Sequence, residues 1–214
     1  MNGEFSAIVC GVGGQGIVLL SNIIGDACAN SGLRAITGEQ HGLSQRSGSV
    51  SIHVRIGARV RSPLIPVGMA DAIISLEALE TLRYLEYLKE GGIALMNSRI
   101  MHPISDTGRL VKNKAGEYFD FKEIESRLSQ ITKNILSLDA LELANKAGNP
   151  LTENVVLLGA ISVLEAFPIQ LDALRQSISK VVPAKAIEAN LRAFEYGAEV
   201  FHDRFCKEMR CKSL

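Results

Sequence analysis

The glycine-rich segment GVGGQG, residues 11–16, constrains the fold of this chain more than any other feature. An apolar run, residues 5–10, precedes it, and residues 17–29 carry Leu20 and Ala27 at helical spacing. This order predicts a strand, a glycine loop and a buried helix. Glycines allow a sharp turn and let an anion approach the N-terminus of the helix, where free N–H groups favour negative charge.

The first two-thirds of the chain continue to alternate strand and helix patterns. We predict further strands at residues 34–37, 50–56, 72–76, 93–97 and 135–138, and helices at residues 77–89, 121–128 and 139–147. The turn at residues 57–58 can lead into a short strand at 59–61, and residues 98–120 give no clear element. Such alternation requires a largely parallel sheet that is covered on both faces.

The last third of the chain is helical in pattern. Apolar residues recur at helical spacing over residues 152–166, 171–181 and 184–205, with Pro183 at a first helical position. We therefore predict an α/β fold: a three-layer α/β/α arrangement with a largely parallel, mixed sheet and extra C-terminal helices from about residue 150. No repeat or linker divides the sequence, so we expect residues 1–214 to form a single domain.

Composition excludes several classes of function. The 23 basic and 23 acidic residues cancel, which argues against nucleic-acid binding through a general positive field. The most apolar stretch, residues 155–161, is far shorter than the ~20 residues that span a bilayer, so we expect a cytoplasmic chain. Without a CxxC motif, neither a zinc site nor an iron–sulfur cluster is indicated. The four cysteines are Cys10, Cys28, Cys206 and Cys211.

Three interpretations of the glycine loop remain open on pattern alone. Gly11, Gly13 and Gly16 satisfy GxGxxG, and Glu39 follows 23 residues after Gly16, where a dinucleotide-binding fold places its ribose-binding acid. The same glycines also suit a simple anion site, or only close packing of helix on strand. A polar loop, rather than a second helical crossover, precedes the third strand, which weakens the dinucleotide interpretation.

A second polar loop spans residues 39–49, EQHGLSQRSGS. Arg46 can hold a phosphate or carboxylate through two hydrogen bonds, and His41 can share a proton or cap a turn. The alternative is a solvated connection without a ligand. Three arginines follow, which form either an exposed strand face or one wall of an anionic pocket: Arg55, Arg59 and Arg61. His53 lies within an apolar alternation, where a structural role is expected.

Several motifs together resemble a known family. They are GVGGQG at 11–16, HGLSQRSGSV at 41–50, SPLIP at 62–66, NVVLLG at 154–159 and VPAKAIEANLRAF at 182–194. In this order and without large gaps, they resemble the beta subunits of indolepyruvate:ferredoxin oxidoreductases. Those subunits correspond to the gamma-type domain of the 2-oxoacid:ferredoxin oxidoreductase family. The resemblance runs from about residue 5 to residue 200, with Ser47 where many relatives have glycine.

The resemblance implies a share in the oxidative decarboxylation of an aryl 2-oxo acid to an acyl-CoA, with ferredoxin as electron acceptor. It implies that thiamine diphosphate and the iron–sulfur clusters lie on a larger alpha subunit, that coenzyme A is a co-substrate, and that the isolated chain is inactive. The sequence agrees, because it contains neither a cysteine cluster nor a thiamine diphosphate motif.

The two polar loops are the predicted site. We expect them to bind an anionic part of coenzyme A or to face the active site of the partner, without assigning a catalytic residue or a metal ligand. A stand-alone Rossmann-like nucleotide-binding module is the alternative, and a purely structural interaction domain is a third hypothesis. The predicted site residues are Gly11, Gly13, Gly14, Gln15, Gly16, His41, Ser44, Gln45, Arg46 and Ser47.

Overall fold

Six strands form one mixed sheet in the computed structural model, which describes residues 4–42, 48–101 and 121–214. The strands are β1 (Phe5–Val12), β2 (Ala35–His41), β3 (Ser49–Ile56), β4 (Ala70–Ser75), β5 (Leu88–Asn97) and β6 (Ile135–Leu138). Their order across the sheet is β2-β3-β1-β4-β5-β6. Only β3 is antiparallel to its neighbours, β1 and β2, whereas the other neighbouring strands pair in parallel.

Helices cover both faces of this sheet. They are α1 (Ile17–Asn30), α2 (Ala78–Arg83), α3 (Phe121–Leu128), α4 (Ala140–Lys146), α5 (Glu153–Ser162), α6 (Leu171–Val181) and α7 (Ile187–Phe205). The large core joins one face of the sheet to α1 and to the four C-terminal helices. Two smaller clusters pack α2 and α3 on the other face. The predicted three-layer α/β/α class with extra C-terminal helices is confirmed.

The helix predicted at residues 77–89 is wrong in its second half. α2 ends at Arg83, a short 3-10 turn covers Leu85–Tyr87, and β5 begins at Leu88. The reason is strand pairing: Leu88 is the partner of Ala70 in β4, so the backbone here finds its hydrogen bonds in the sheet. The leucines at three-residue spacing are nevertheless packed against the core, although they belong to different elements: Leu79 and Leu82 lie in α2, Leu85 in the 3-10 turn and Leu88 at the start of β5.

The strand predicted at residues 59–61 is also wrong. The chain after β3 is irregular up to β4, and Arg55 stabilises it by donating to the carbonyl oxygens of Ser62 and Leu64. Arg61 likewise donates to nearby carbonyl oxygens. Arg55 pairs in register with Ser6 at the start of β1, far from the glycine loop at its end. The described contacts of Arg55 and Arg61 therefore give these two arginines a local structural role rather than a place in a pocket wall.

The helix ends of the last third differ from the prediction by a few residues. α5 ends at Ser162 rather than at residue 166, and Pro183 precedes a 3-10 turn, so that α7 begins only at Ile187. α5 is buried along residues 154–162, which explains its uninterrupted apolar pattern. None of the described helices is both long and apolar enough to cross a membrane.

Asp26 joins α1 to α6, and we predict that it makes stability pH-dependent. Its carboxylate accepts a hydrogen bond from Ser177 Oγ at 2.8 Å and forms an ion pair with Lys180. These contacts, that with Lys180 foremost, lower the pKa of Asp26 below its ordinary value of 3.8. A lowered folded-state pKa stabilises the protein above the unfolded value, and this contribution disappears as the pH falls through the folded value.

Asp26→Asn should therefore lower the free energy of unfolding at pH 7 by about 1 kcal/mol, a magnitude that allows for solvent screening. The difference from wild type should shrink as the pH falls below 3.8. Urea unfolding at pH 7 and at pH 3 measures both effects. Asp203→Asn is the matched control: that side chain is 83% exposed, and its 3.7 Å contact with the neighbouring His202 is a surface contact whose loss should change stability little. A difference that stays constant with pH would contradict the assigned ion pair.

Candidate functional site

The glycine loop lies at the point of the sheet where neighbouring strands send their connecting helices to opposite faces. β1 leads into α1 on one face, whereas β4 leads into α2 on the other. Since β1 and β4 are parallel neighbours, a crevice opens beyond their carboxyl ends, which is the usual ligand position in open α/β sheets. Gly14 and Gly16 turn the loop with φ of +96° and +77°, a left-handed backbone that favours glycine.

The amide of Gln15 holds this loop in place. Its Oε1 accepts a hydrogen bond from Val12 N at 2.7 Å, and its Nε2 donates to Leu76 O at 3.0 Å. A Cβ at Gly11 would lie 2.5 Å from Gln15 Oε1, so the first glycine makes room for this contact. Gln15, a predicted binding residue, therefore uses both ends of its amide to fasten the loop to the sheet.

The two predicted loops meet at this edge. Gly13 N donates to Gly48 O at 2.9 Å, and His41, the last residue of β2, lies beside the glycine loop. His41 Nε2 is 3.3 Å from Glu39 Oε2, and both side chains are exposed. A cavity of about 280 Å³ between the loops is lined by Val12, Gly13, Gly14, Gly16, Ile17, Val18, His41 and Val50. Four predicted site residues lie outside the described residues: Ser44, Gln45, Arg46 and Ser47.

The position of Glu39 does not fit a dinucleotide site. A ribose-binding acid belongs at the end of a strand next to β1, but β3 lies between β1 and β2. Two strand spacings, about 10 Å, therefore separate the strand of Glu39 from the strand that carries the glycine loop. The insertion of an antiparallel strand, which the sequence pattern did not reveal, accounts for the failure of this interpretation.

A second cavity, of about 410 Å³, opens on the other side of the glycine loop. It is lined by Gly13, Gly14, Gln15, Gly16, Leu19, Arg99, Met101, Pro150, Leu151, Glu153 and Asn154. Arg99 follows the end of β5, and its Nη1 is 2.8 Å from Glu153 Oε1. Asn154 Nδ2 donates to Gly16 O at 2.9 Å, which ties the start of α5 to the loop.

Sequence reasoning missed Arg99, Glu153 and Asn154 as site residues. Only Asn154 left a signal, because it begins one of the motifs that carry the family resemblance. A guanidinium has five N–H donors, so Arg99 can hold an anion while it keeps its contact with Glu153. α1 adds to this capacity, because its first turn has no acidic residue and its N-cap is Gly16, which has no side chain to cap the helix.

Two buried glutamates organise the walls of the crevice. Glu77 accepts hydrogen bonds from Met101 N and Glu80 N, each at 2.9 Å, and burial raises the pKa of its carboxyl group. Glu80 accepts a hydrogen bond from Ser49 Oγ at 2.5 Å. Ser49 begins β3, so Glu80 fastens the end of the second loop, as Glu77 fastens the segment that carries Met101. Both carboxylates therefore act as anchors.

Nucleophilic and metal chemistry find little support in the described part of the chain. Cys10 is buried below the loop, and burial raises the pKa of its thiol well above the ordinary range. His53 is buried and its Nδ1 accepts a hydrogen bond from Ile65 N at 3.0 Å, in keeping with a structural role. Among residues 4–42, 48–101 and 121–214, no group of three or more His, Cys, Asp or Glu side chains could hold a metal ion.

The fold and the crevice define the class: an α/β protein whose mixed sheet carries a glycine loop and an arginine at its carboxyl edge. The family model for pyruvate ferredoxin/flavodoxin oxidoreductase matches residues 6–200. The chain belongs to this family. The assignment made from the sequence motifs is confirmed, and the stand-alone Rossmann-like alternative is not supported.

Relatives in this family match along nearly their whole length. The chain is 38% identical to the indolepyruvate oxidoreductase subunit IorB of Pyrococcus horikoshii, covering 92% of this chain and 95% of that one. It is 39% identical to the IorB subunit of Thermococcus kodakarensis over the same shares. These relatives are subunits of oxidoreductases, so this chain is an enzyme subunit of the same family.

Solved structures share the fold. The pyruvate oxidoreductase subunit PORC of Thermotoga maritima superimposes with a TM-score of 0.66 at 21% identity, covering 92% of this chain and 96% of that one. The gamma subunit of a keto/oxoacid ferredoxin oxidoreductase from Geobacter sulfurreducens gives a TM-score of 0.64 at 22% identity, with 92% and 95% covered. At these identities the likeness concerns the architecture alone.

Proposed function

We propose that this chain is a subunit of an indolepyruvate:ferredoxin oxidoreductase. The observation that carries the proposal is the 38–39% identity, over 92% of the chain, to subunits named for indolepyruvate oxidoreductase. In this proposal residues 1–214 form a single gamma-type domain. The assembled enzyme decarboxylates an aryl 2-oxo acid in the cytoplasm, forms an acyl-CoA, and passes the electrons to ferredoxin.

The proposal assigns the redox groups to a larger alpha subunit. That subunit carries thiamine diphosphate and the iron–sulfur clusters, while coenzyme A is a co-substrate of the complex. This chain contributes the crevice at the carboxyl edge of its sheet. The glycine loop, His41 and the loop that includes Ser44, Gln45, Arg46 and Ser47 would then face the active site of the partner.

We assign an anionic part of coenzyme A to the cavity beside Arg99. Three features support this assignment: the uncapped N-terminus of α1, the left-handed turn at Gly14 and Gly16, and the guanidinium of Arg99. The helix N-terminus and the turn offer backbone N–H groups to phosphate oxygens, and the guanidinium of Arg99 offers two parallel N–H donors with a positive charge. Gln15 would act indirectly by holding the loop, because its amide is already engaged.

The test is to purify the chain alone and together with its native partner. The isolated chain should not reduce ferredoxin or a viologen dye with indolepyruvate, whereas the complex should do so and should contain thiamine and iron. Turnover by the isolated chain would contradict the division of labour proposed here. Tight binding of NAD(H) or FAD to the isolated chain, measured by calorimetry, would instead restore the nucleotide-binding alternative.

Within the complex, Arg99→Ala should raise the KM for coenzyme A by about tenfold or more. The loss of a charged hydrogen-bond partner is worth about 1.5–3 kcal/mol, which corresponds to this range. Arg59→Ala is the matched control. Arg59 is exposed and follows the end of β3, which pairs with the start of β1 and so lies at the opposite end of the sheet from the glycine loop. An unchanged KM with weakened co-purification would show that this crevice contacts the partner rather than coenzyme A.

A further inference from the structure

A disulfide closes a short ring in the C-terminal tail, residues 206–214. α7 ends at Phe205, and the next residue, Cys206, is bonded to Cys211. Both cysteines are partly exposed, unlike Cys10 and Cys28, which are buried. Burial raises the pKa of the Cys28 thiol to about 12, so it is unreactive at neutral pH. The accessible cysteine chemistry of the described chain is therefore concentrated at Cys206 and Cys211.

The tail fastens the end of α5. Lys212 N donates to Val163 O at 2.7 Å, and Lys212 Nζ donates to Ser162 O at 2.9 Å and to Ile169 O at 2.6 Å. The last carbonyl groups of a helix have no partner within the helix, so these contacts satisfy groups that α5 would otherwise leave unpaired. Cys211 itself forms a β-bridge with Leu164. The disulfide thus lies immediately beside the contacts that end α5.

The tail also forms one wall of a cavity of about 500 Å³. Glu208, Met209 and Arg210, which lie inside the ring closed by the disulfide, face residues of β5 and of the segment after α5. The cavity is at the amino-terminal half of β5, at the opposite end of the sheet from the glycine loop. The full lining is Gly91, Ile93, Asn134, Leu164, Glu165, Ala166, Glu208, Met209 and Arg210.

We propose that Cys206 and Cys211 form a reversible thiol–disulfide site that controls the attachment of the tail to α5 and the wall of this cavity. A dithiol reductant is the reaction partner. One of its thiolates attacks a protein sulfur and forms a mixed disulfide, and its second thiolate then displaces the protein. The reductant leaves as a disulfide, and the two electrons and two protons convert Cys206 and Cys211 to thiols.

The ring closed by Cys206 and Cys211 determines where Lys212 lies. With the disulfide intact, the four residues between the cysteines hold Cys211 next to the end of α7, and this places Lys212 against α5. Without it, the segment after Cys206 is held to α5 and the residues that follow it mainly by the hydrogen bonds of Arg210 and Lys212 and by the bridge of Cys211 to Leu164. A segment held by so few contacts opens more readily. In mesophiles, disulfides of cytosolic proteins are usually transient or redox-sensing, and a reversible site fits the cytoplasmic location on which this inference rests.

The test uses the full chain after equilibration with oxidised or reduced dithiothreitol, followed by native alkylation and mass spectrometry. Cys206 and Cys211 should be protected after oxidation and alkylated after reduction, while Cys10 and Cys28 stay unlabelled in both. Hydrogen exchange at residues 163–165 and 206–212 should accelerate at least tenfold on reduction, with no change at the glycine loop. Returning the sample to oxidised dithiothreitol should restore both readouts.

The double variant Cys206→Ser/Cys211→Ser should exchange like the reduced protein, and Cys28→Ser is the matched control that should keep the redox response. Labelling of both tail cysteines after oxidation would overturn the proposal, because no disulfide would then form. Unchanged exchange on reduction would also overturn it, because other contacts would hold the tail. Neither readout depends on turnover or on a partner, so failure here is distinct from failure of the proposed function.

Discussion

Gly197→Ala and Gly159→Ala should each lower the free energy of unfolding by about 3 kcal/mol or more, the upper range for overpacking a core. The two glycines bring α5 and α7 into backbone contact. A Cβ at Gly197 would lie 1.9 Å from Val156 O, and a Cβ at Gly159 would lie 2.0 Å from Phe194 O. These obstacles are backbone atoms, so the helices must separate, and the core around α5 opens with them.

A matched substitution isolates this packing effect. Gly25 lies within α1, and a Cβ there would meet no atom within 4 Å. Since alanine is favoured over glycine in a helix interior by about 1 kcal/mol, Gly25→Ala should stabilise the protein slightly. Urea unfolding of the three variants gives the comparison. If Gly197→Ala and Gly25→Ala shifted stability in the same direction, the close crossing of α5 and α7 would be disproved.

Gly16→Ala should lower turnover of the assembled complex at least tenfold, which is the largest effect we expect on function. Gly16 has φ of +77°, and a Cβ there would lie 2.5 Å from Asn154 Nδ2. The substitution therefore adds about 1–2 kcal/mol of left-handed strain. It also displaces the side-chain amide of Asn154, which ties the start of α5 to the glycine loop. Both changes act on the cavity beside Arg99.

Gly32→Ala is the matched control, which distinguishes the effect of backbone strain on stability from an effect of the glycine loop on turnover. Gly32 has φ of +68° and an open space around the added Cβ, so it bears similar strain beyond the opposite end of α1. Both variants should lose stability in urea unfolding, but only Gly16→Ala should lose turnover or co-purification with the partner. If the complexes with Gly16→Ala and with Gly32→Ala had equal turnover, the glycine loop would not belong to the proposed site.

Local patterns predicted most of the elements because their physical causes are local. The bounds of α3, β6 and α6 agree with the predicted ones, since each follows a clear apolar period and ends at a turn. The second half of the helix predicted at residues 77–89 was wrong, because the local pattern does not show that Leu88 pairs with Ala70 in β4. Three-residue leucine spacing is compatible with a helix and equally with a 3-10 turn that enters a strand.

The sequence by itself determined that a strand, a glycine turn and a buried helix follow one another, because these depend on neighbouring residues. Its motifs also determined the family. Only the tertiary structure decided that β3 separates β2 from β1, which removes Glu39 from a dinucleotide site. It alone brought Arg99 and Asn154 to the glycine loop and joined the tail to α5. Contacts between distant segments arise from the packing of whole layers, and no local period encodes them.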